Sequence, residues 1–151
     1  MKRKELLKRL DLSTFIAFDF ETTGLDQQND RIIEVAAIKF IDGEIADRYV
    51  ELVNPGISIP AVITETTGIS DKMVRSSPSE ELIIDDLLSF IGDNPLVAHN
   101  IHFDEKFLFQ LCNRLGRDVL ENALYDTLQL ARSVLYDQPV FNLSALSEYF
   151  G

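Results

Sequence analysis

Two carboxylates two residues apart stand inside an otherwise apolar run, Asp19 and Glu21 in AFDFETTGL (17–25). Side chains along a β-strand alternate faces, so both acids leave the same side of one strand. Like charges held that close are costly unless a cation lies between them. Carboxylate oxygens are hard ligands suited to Mg²⁺ or Mn²⁺. A third acid, Asp104 in VAHNIHFDEKF, follows a short apolar run at the start of a helical pattern. Ligands of α/β sheets gather at strand ends, where carboxylates from two separate segments can converge. Paired divalent ions about 3.5–4 Å apart would activate a water and stabilise charge on a phosphate. The competing reading, a solvated strand end with turn-capping acids, accounts for one Asp-x-Glu far better than for DFETTGL together with HNxxFD.

The chain carries its own control, because ETTG recurs at Glu65–Gly68. No second acid precedes that copy on a strand, and Glu65 reads as a helix-entry residue favoured by the helix dipole. In the first copy, Thr22, Thr23 and Gly24 offer hydroxyls and backbone N–H groups to a sugar or phosphate, or simply turn the chain. Asn100 either caps the following helix or reaches a phosphate. Phe103 either stacks on a base or belongs to a Phe103, Phe107, Leu111 core stripe. Asp126 reads as the cap of a helix starting at Thr127 rather than a metal ligand. His102 falls on the opposite side of its helix from Asp104, a surface position. Glu34, among apolar strand residues, is an acid in need of a partner.

The elements that must hold these groups are legible. A first strand, 13–20, points Ile16, Phe18 and Phe20 to the packed side, with Phe15, Ala17, Asp19 and Glu21 opposite. Segments 31–41 and 44–53 read as strands joined by Asp42-Gly43, a hairpin signal. A short helix over 65–75 and a longer one over 78–91 follow, the latter with Ile84, Leu88 and Ile91 on one stripe. Then come a strand in PLVAHN, a helix over 102–115 stopped by Gly116, a strand at 124–126, a helix to Leu135 and a last helix from Asn142. Three antiparallel strands followed by alternating strand and helix predict an α/β fold, a mixed five-stranded sheet with helices on both faces.

Composition narrows the function classes. The chain has 151 residues, 46% of them apolar, enough for one domain with a real core. No apolar run suits a membrane span, and the basic start MKRKELLKRLDL lacks the apolar centre of a signal peptide. It reads as an exposed leader over 1–12. The single Cys112 precludes an intrachain disulfide, and a reducing, cytoplasmic setting is expected. A net charge of −11 argues against gripping long nucleic acid by its phosphates, but not against holding a short strand end through metal ions.

DFETTGL and VAHNIHFD resemble the first two motifs of the DEDD 3′–5′ exonucleases, of the kind that proofreads for bacterial DNA polymerase III. RIIEVAAIKF, TTGISDKMV and LYDTLQLAR are similar to that family too, so the likeness runs from about Phe15 to Gly151. It implies a ribonuclease-H-like fold, and two Mg²⁺ or Mn²⁺ ions held partly by Asp19, Glu21 and Asp104. The implied reaction hydrolyses the terminal phosphodiester of a single-stranded 3′ end, DNA more than RNA, releasing nucleoside monophosphates. A DNA polymerase subunit is the implied partner. His99 aligns with a substrate or strand-end position of the second motif, and Thr67 falls where many relatives carry His. The family's third motif, a general-base His followed by a fourth acidic ligand, has no match before Gly151. The expectation is therefore an exonuclease domain over 13–151 without its C-terminal helix, weakly active or inactive as it stands. Two other classes fit the same residues: a non-catalytic nucleotide-binding or polymerase-docking module, and a di-metal hydrolase of small phosphate esters.

Overall fold

A computed structural model describes residues 2–151. Strands β1 (Thr14–Thr22), β2 (Ile32–Ile41) and β3 (Glu44–Leu52) form an antiparallel meander. β4 (Leu96–Ala98) and β5 (Leu124–Asp126) add in parallel beyond β1. The sheet order is β3-β2-β1-β4-β5, so β1 is central, and this is the mixed sheet that the sequence predicts. Asp42 (φ 52°) and Gly43 (φ 84°) both adopt the left-handed conformation that a two-residue hairpin turn requires.

One face of the sheet carries the core. Ile16, Phe18 and Phe20 alternate inward along β1 and meet Val35 and Ala37 of β2 and Leu96 and Ala98 of β4. Two helices close over them: α4 (Glu80–Ile91) through Ile83, Ile84, Leu87 and Ile91, and α5 (Ile101–Leu115) through Phe107, Leu108 and Leu111. Their apolar residues recur at helical spacing, which is why these segments pack as helices on a sheet. Gly116 ends α5 in the left-handed conformation (φ 63°), as the sequence indicates. The opposite face is flanked by α6 (Thr127–Val134) and α7 (Leu143–Phe150). The basic leader forms α1 (Arg3–Arg9), tied to the hairpin turn by Arg3 Nη2 donating to Gly43 O and by Lys4 beside Asp42. Among the described residues no helix is long and apolar enough to cross a membrane.

The single helix expected over 65–75 is instead two: α2 (Ala61–Thr67) and α3 (Asp71–Val74). Pro60, with φ −58°, starts the helix earlier, and Gly68, left-handed at φ 77°, stops it. Glu65 therefore sits near the end of α2, exposed, and is not the helix-entry residue that its sequence context suggests.

At the end of β1 the pairing register slips between Glu21 and Thr22, so that Glu21 faces Glu34 but Thr22 faces Ile32. The slip turns Ile33 away into a second small core with Ile59, Ile69 and Val74, beneath α2 and α3. The N–H of Ile32 is accepted by Glu80 Oε1 at 3.1 Å, and the other carboxylate oxygen takes Arg114 Nη2 at 2.7 Å. Glu80 is buried and acidic, and this double use is what makes its position tenable. Replacing Glu80 by Ala strands the Ile32 N–H and the Arg114 guanidinium together. We expect a loss of roughly 3 kcal/mol in urea denaturation. Glu80→Gln, which still offers an amide oxygen, should lose clearly less.

Candidate active site

The site is built where β4 leaves β1. Parallel pairing between them covers Ile16–Leu96 and Ala17–Val97 only. Beyond that point the edge of β1 has no strand beside it, and a buried backbone donor there needs another acceptor. Asp104, in the first turn of α5, supplies it: Oδ1 accepts from the N–H of Phe20 at 2.9 Å. Phe20 is the residue between Asp19 and Glu21, so one hydrogen bond fastens the third acid to the strand that carries the other two. Asp104 is only 2% exposed, whereas Asp19 opens to solvent and Glu21 is half-buried.

Burial first, and for Glu21 and Asp104 like charge second, raise the carboxyl pKa values of this cluster. Burial pushes the Asp104 carboxyl from its ordinary 3.8 up to about 7; the Phe20 N–H opposes that rise, and Asp19 and Glu21 add to it. Asp19 is raised by the protein packed around its base, with His99 pulling the other way. Glu21 is raised by burial, then by Asp19, then by Glu34. Glu34 had no partner in the sequence reading. It lies directly across from Glu21 on β2, half-buried, as a fourth negative charge. Like charges directly opposite on paired strands are destabilising. The donor set is therefore all oxygen, hard and over-charged, which suits a divalent cation. Among the described residues, however, no three such side chains are already arranged to hold a metal ion. Without a cation between them these carboxylates share a field and a strand end but form no closed cage.

The strand-end turns are held by a separate acid. Asn100, left-handed at φ 64°, donates its N–H to Asp126 Oδ1 at 3.0 Å, and the same oxygen caps α6 through the N–H groups of Leu128 and Gln129. Asp126 is thus a cap, as its sequence context indicates. The Asn100 side chain makes no capping bond to α5 and stands exposed, which removes one of its two readings. His99 Nδ1 lies 3.1 Å from Thr127 Oγ1, and that hydroxyl lies 3.2 Å from Ala98 O. The hydroxyl has one proton and gives it to the carbonyl, so Nδ1–H of His99 is the donor. This leaves Nε2 of His99 available. His99 and Asp19 line one hollow of about 290 Å³ with Ala17, Ala36, Ile38, Val97 and Leu143.

Other expected contact residues are spent internally. Thr23 Oγ1 donates to Asp30 Oδ1 (2.8 Å) and accepts from the Arg31 N–H (3.0 Å); Thr22 Oγ1 donates to Gly24 O (2.7 Å). A Cβ on Gly24 would lie 2.3 Å from Asp30 Oδ2, so this glycine admits a carboxylate of its own chain. The Thr67 hydroxyl donates to Ile63 O and accepts from the Ile69 N–H, within its own helix end. The Phe103 ring packs on Phe107, centroids 5.0 Å apart, against the main core. The ring is half-buried, at the head of the apolar stripe with part of it left exposed. His102 pairs with Glu105 on the surface, as expected. Asp30 and Thr127 are the positioning residues that the sequence reading missed. The close-packed Gly24 was the signal for Asp30; Thr127 left none beyond its place after a cap.

The exonuclease family model RNase_T matches residues 16–151. The chain is 41% identical over 136 residues to the PolC-type DNA polymerase III of Caldanaerobacter subterraneus, covering 90% of this chain and 10% of that protein. It is 37% identical over 137 residues to the PolC-type enzyme of Clostridium perfringens, covering 91% and 9%. The chain thus spans about a tenth of the length of these curated relatives. Among solved structures, exonuclease I in its apo form superposes with a TM-score of 0.79 at 20% identity, over 90% of this chain and 36% of that one. E. coli exonuclease I in complex with an oligonucleotide gives 0.80 at 20% identity, with the same coverage. These structures share the fold.

Because the Asp104 carboxyl titrates near 7 in the folded chain and near 3.8 when unfolded, the folded state holds that proton more tightly. Stability from this group is full below pH ~4 and is lost as pH rises through ~7. Asp104→Asn keeps an acceptor for the Phe20 N–H without the charge. In thermal melts with chelator, the variant should be more stable than wild type at pH 8 and equal to it near pH 4. Adding Mg²⁺ should close the gap at pH 8 by stabilising wild type.

Proposed function

The chain belongs to the exonuclease family, and from that premise we propose that it removes nucleotides from single-stranded 3′ ends of DNA, releasing nucleoside monophosphates, as a proofreading domain beside a polymerase. The observation that carries this reading is the Phe20–Asp104 bond, which brings an acid from α5 to the strand bearing Asp19 and Glu21. The PolC-type relatives, named as DNA polymerases, support DNA over RNA and a polymerase context. A single buried, unpaired Cys112 goes with a cytoplasmic place of work.

Asp19, Glu21 and Asp104 would hold the divalent ions. Two Mg²⁺ or Mn²⁺ ions bound there would supply an activated water and offset the negative charge that builds on the phosphate. The chain's own residues do the rest. The Asp30-bonded turn at Thr22–Gly24 fixes the rim beside the acids, and its backbone, not its hydroxyls, is what remains for a terminal sugar. His99, oriented by Thr127, borders the hollow that it shares with Asp19, where its remaining ring nitrogen could meet a phosphate or sugar oxygen. A net charge of −11 suits a grip on few nucleotides, because phosphates beyond the ions would be repelled.

A second reading, a nucleotide-binding module without catalysis, draws on the absence of a ready-made ligand cage among the described residues. A 5′-labelled single strand with Mn²⁺ separates the two. The exonuclease reading expects a ladder of products shortened from the 3′ end, slowed roughly a thousandfold in Asp19→Ala. Binding without shortening, at every Mn²⁺ concentration, would establish the second reading. Hydrolysis of mononucleotide esters alone would discard both.

A further inference from the structure

A second cleft adjoins the acidic site, with His99 as the shared wall. It is open, about 600 Å³ in volume, and bounded by His99, Asn100, Arg132, Val140, Phe141 and Asn142. Arg132, on α6, projects exposed at this cleft and has no ion pair or hydrogen bond among the described residues. Arg3, Arg31, Arg114 and Arg117 are engaged with protein oxygens, whereas the guanidinium groups of Arg48 and Arg75, like that of Arg132, have no such partner among the described residues. Of the residues lining the two hollows that His99 borders, Arg132 is the one Lys or Arg. An unpaired guanidinium beside an acidic site, in a chain of charge −11, is placed for an anion. Phe141, half-buried in the same lining, offers a ring on which a base can stack. The Asn100 amide, free of any capping duty, faces the same space.

We propose that this cleft is a subsite for the nucleotides next to the terminal one, with Arg132 bound to their phosphate and Phe141 stacked on a base. The proposal rests on the exonuclease reading and deepens it. The strand would run from the acids past His99 into the cleft. The negatively charged domain would then hold it by one cation and one aromatic ring, with no broad basic surface.

The test is binding of 5′-fluorescein-labelled oligo-dT of one to six nucleotides, read by anisotropy with Ca²⁺ as the divalent ion. Wild type should gain affinity as length passes from one nucleotide to three or four. Arg132→Gln should lose that gain by roughly tenfold, and its salt dependence should fall by roughly one unit of slope. Arg132→Lys should recover most of both. Phe141→Ala should reduce the length gain with an unchanged salt slope. Arg132→Gln with a wild-type length dependence and slope would overturn the subsite, as would an equal loss at every length including the mononucleotide. If wild type shortens DNA but shows no length gain, the subsite falls and the exonuclease reading stands. If wild type binds no oligonucleotide, both fall.

Discussion

The Phe20 amide must find an acceptor once β4 turns away from β1, and the acid that answers it organises the whole end of the sheet. A backbone N–H on a central strand cannot be left dry without a cost of a few kcal/mol, so something must replace the missing strand. Asp104 does so at 2.9 Å, from the first turn of α5. Satisfying that donor buries a carboxylate beside two others, and burial above all, with the neighbouring Asp19 and Glu21 charges adding to it, pushes its pKa up to about 7. The same geometry therefore completes the fold and, in the proposed reaction, would also serve the chemistry. The strand end is completed by a group that, once there, calls for positive charge.

Around that point the chain spends its polar groups on rigidity. Asp30 takes Thr23 and the Asp26 N–H, and its carboxylate packs so closely on Gly24 that a side chain there would have to displace it. Asp126 holds three backbone donors from two segments with one oxygen. Glu80 accepts the N–H of Ile32 at the register slip and pairs with Arg114. Each of these acids is bound by donors of the chain itself. Asp19, Glu21 and Glu34 lean on one another with like charge. That contrast sets the acids engaged by donors of the chain apart from those crowded by like charge, and Asp104 alone belongs to both groups.

Its charge is unevenly spread. The basic residues of the first helix lie by the β2–β3 turn, at the opposite end of β1 from the acids, where Arg3 and Lys4 grip Gly43 and Asp42. In the two hollows that His99 borders, Arg132 is the one Lys or Arg side chain, which gives it its weight. A family relationship at 37–41% identity places this chain with domains that make up a tenth of much longer polymerases.

Much of this could be read from residue order. Alternation of Ile16, Phe18 and Phe20 puts Asp19 and Glu21 together on the other face, because strand geometry has a period of two whatever surrounds it. Asp42-Gly43, Gly116 and the Asp126 cap are likewise local, set by backbone preferences within a few residues. The sequence itself determined that two acids share a strand face, that a third follows the next strand, and the type of nearly every element. What it left open needed contacts between distant segments. The Thr23–Asp30 bond, the pairing of Glu21 with Glu34 and the exposure of Arg132 were decided only by the tertiary structure. Burial and the partner of a hydrogen bond depend on which surfaces meet, and no local spacing encodes that.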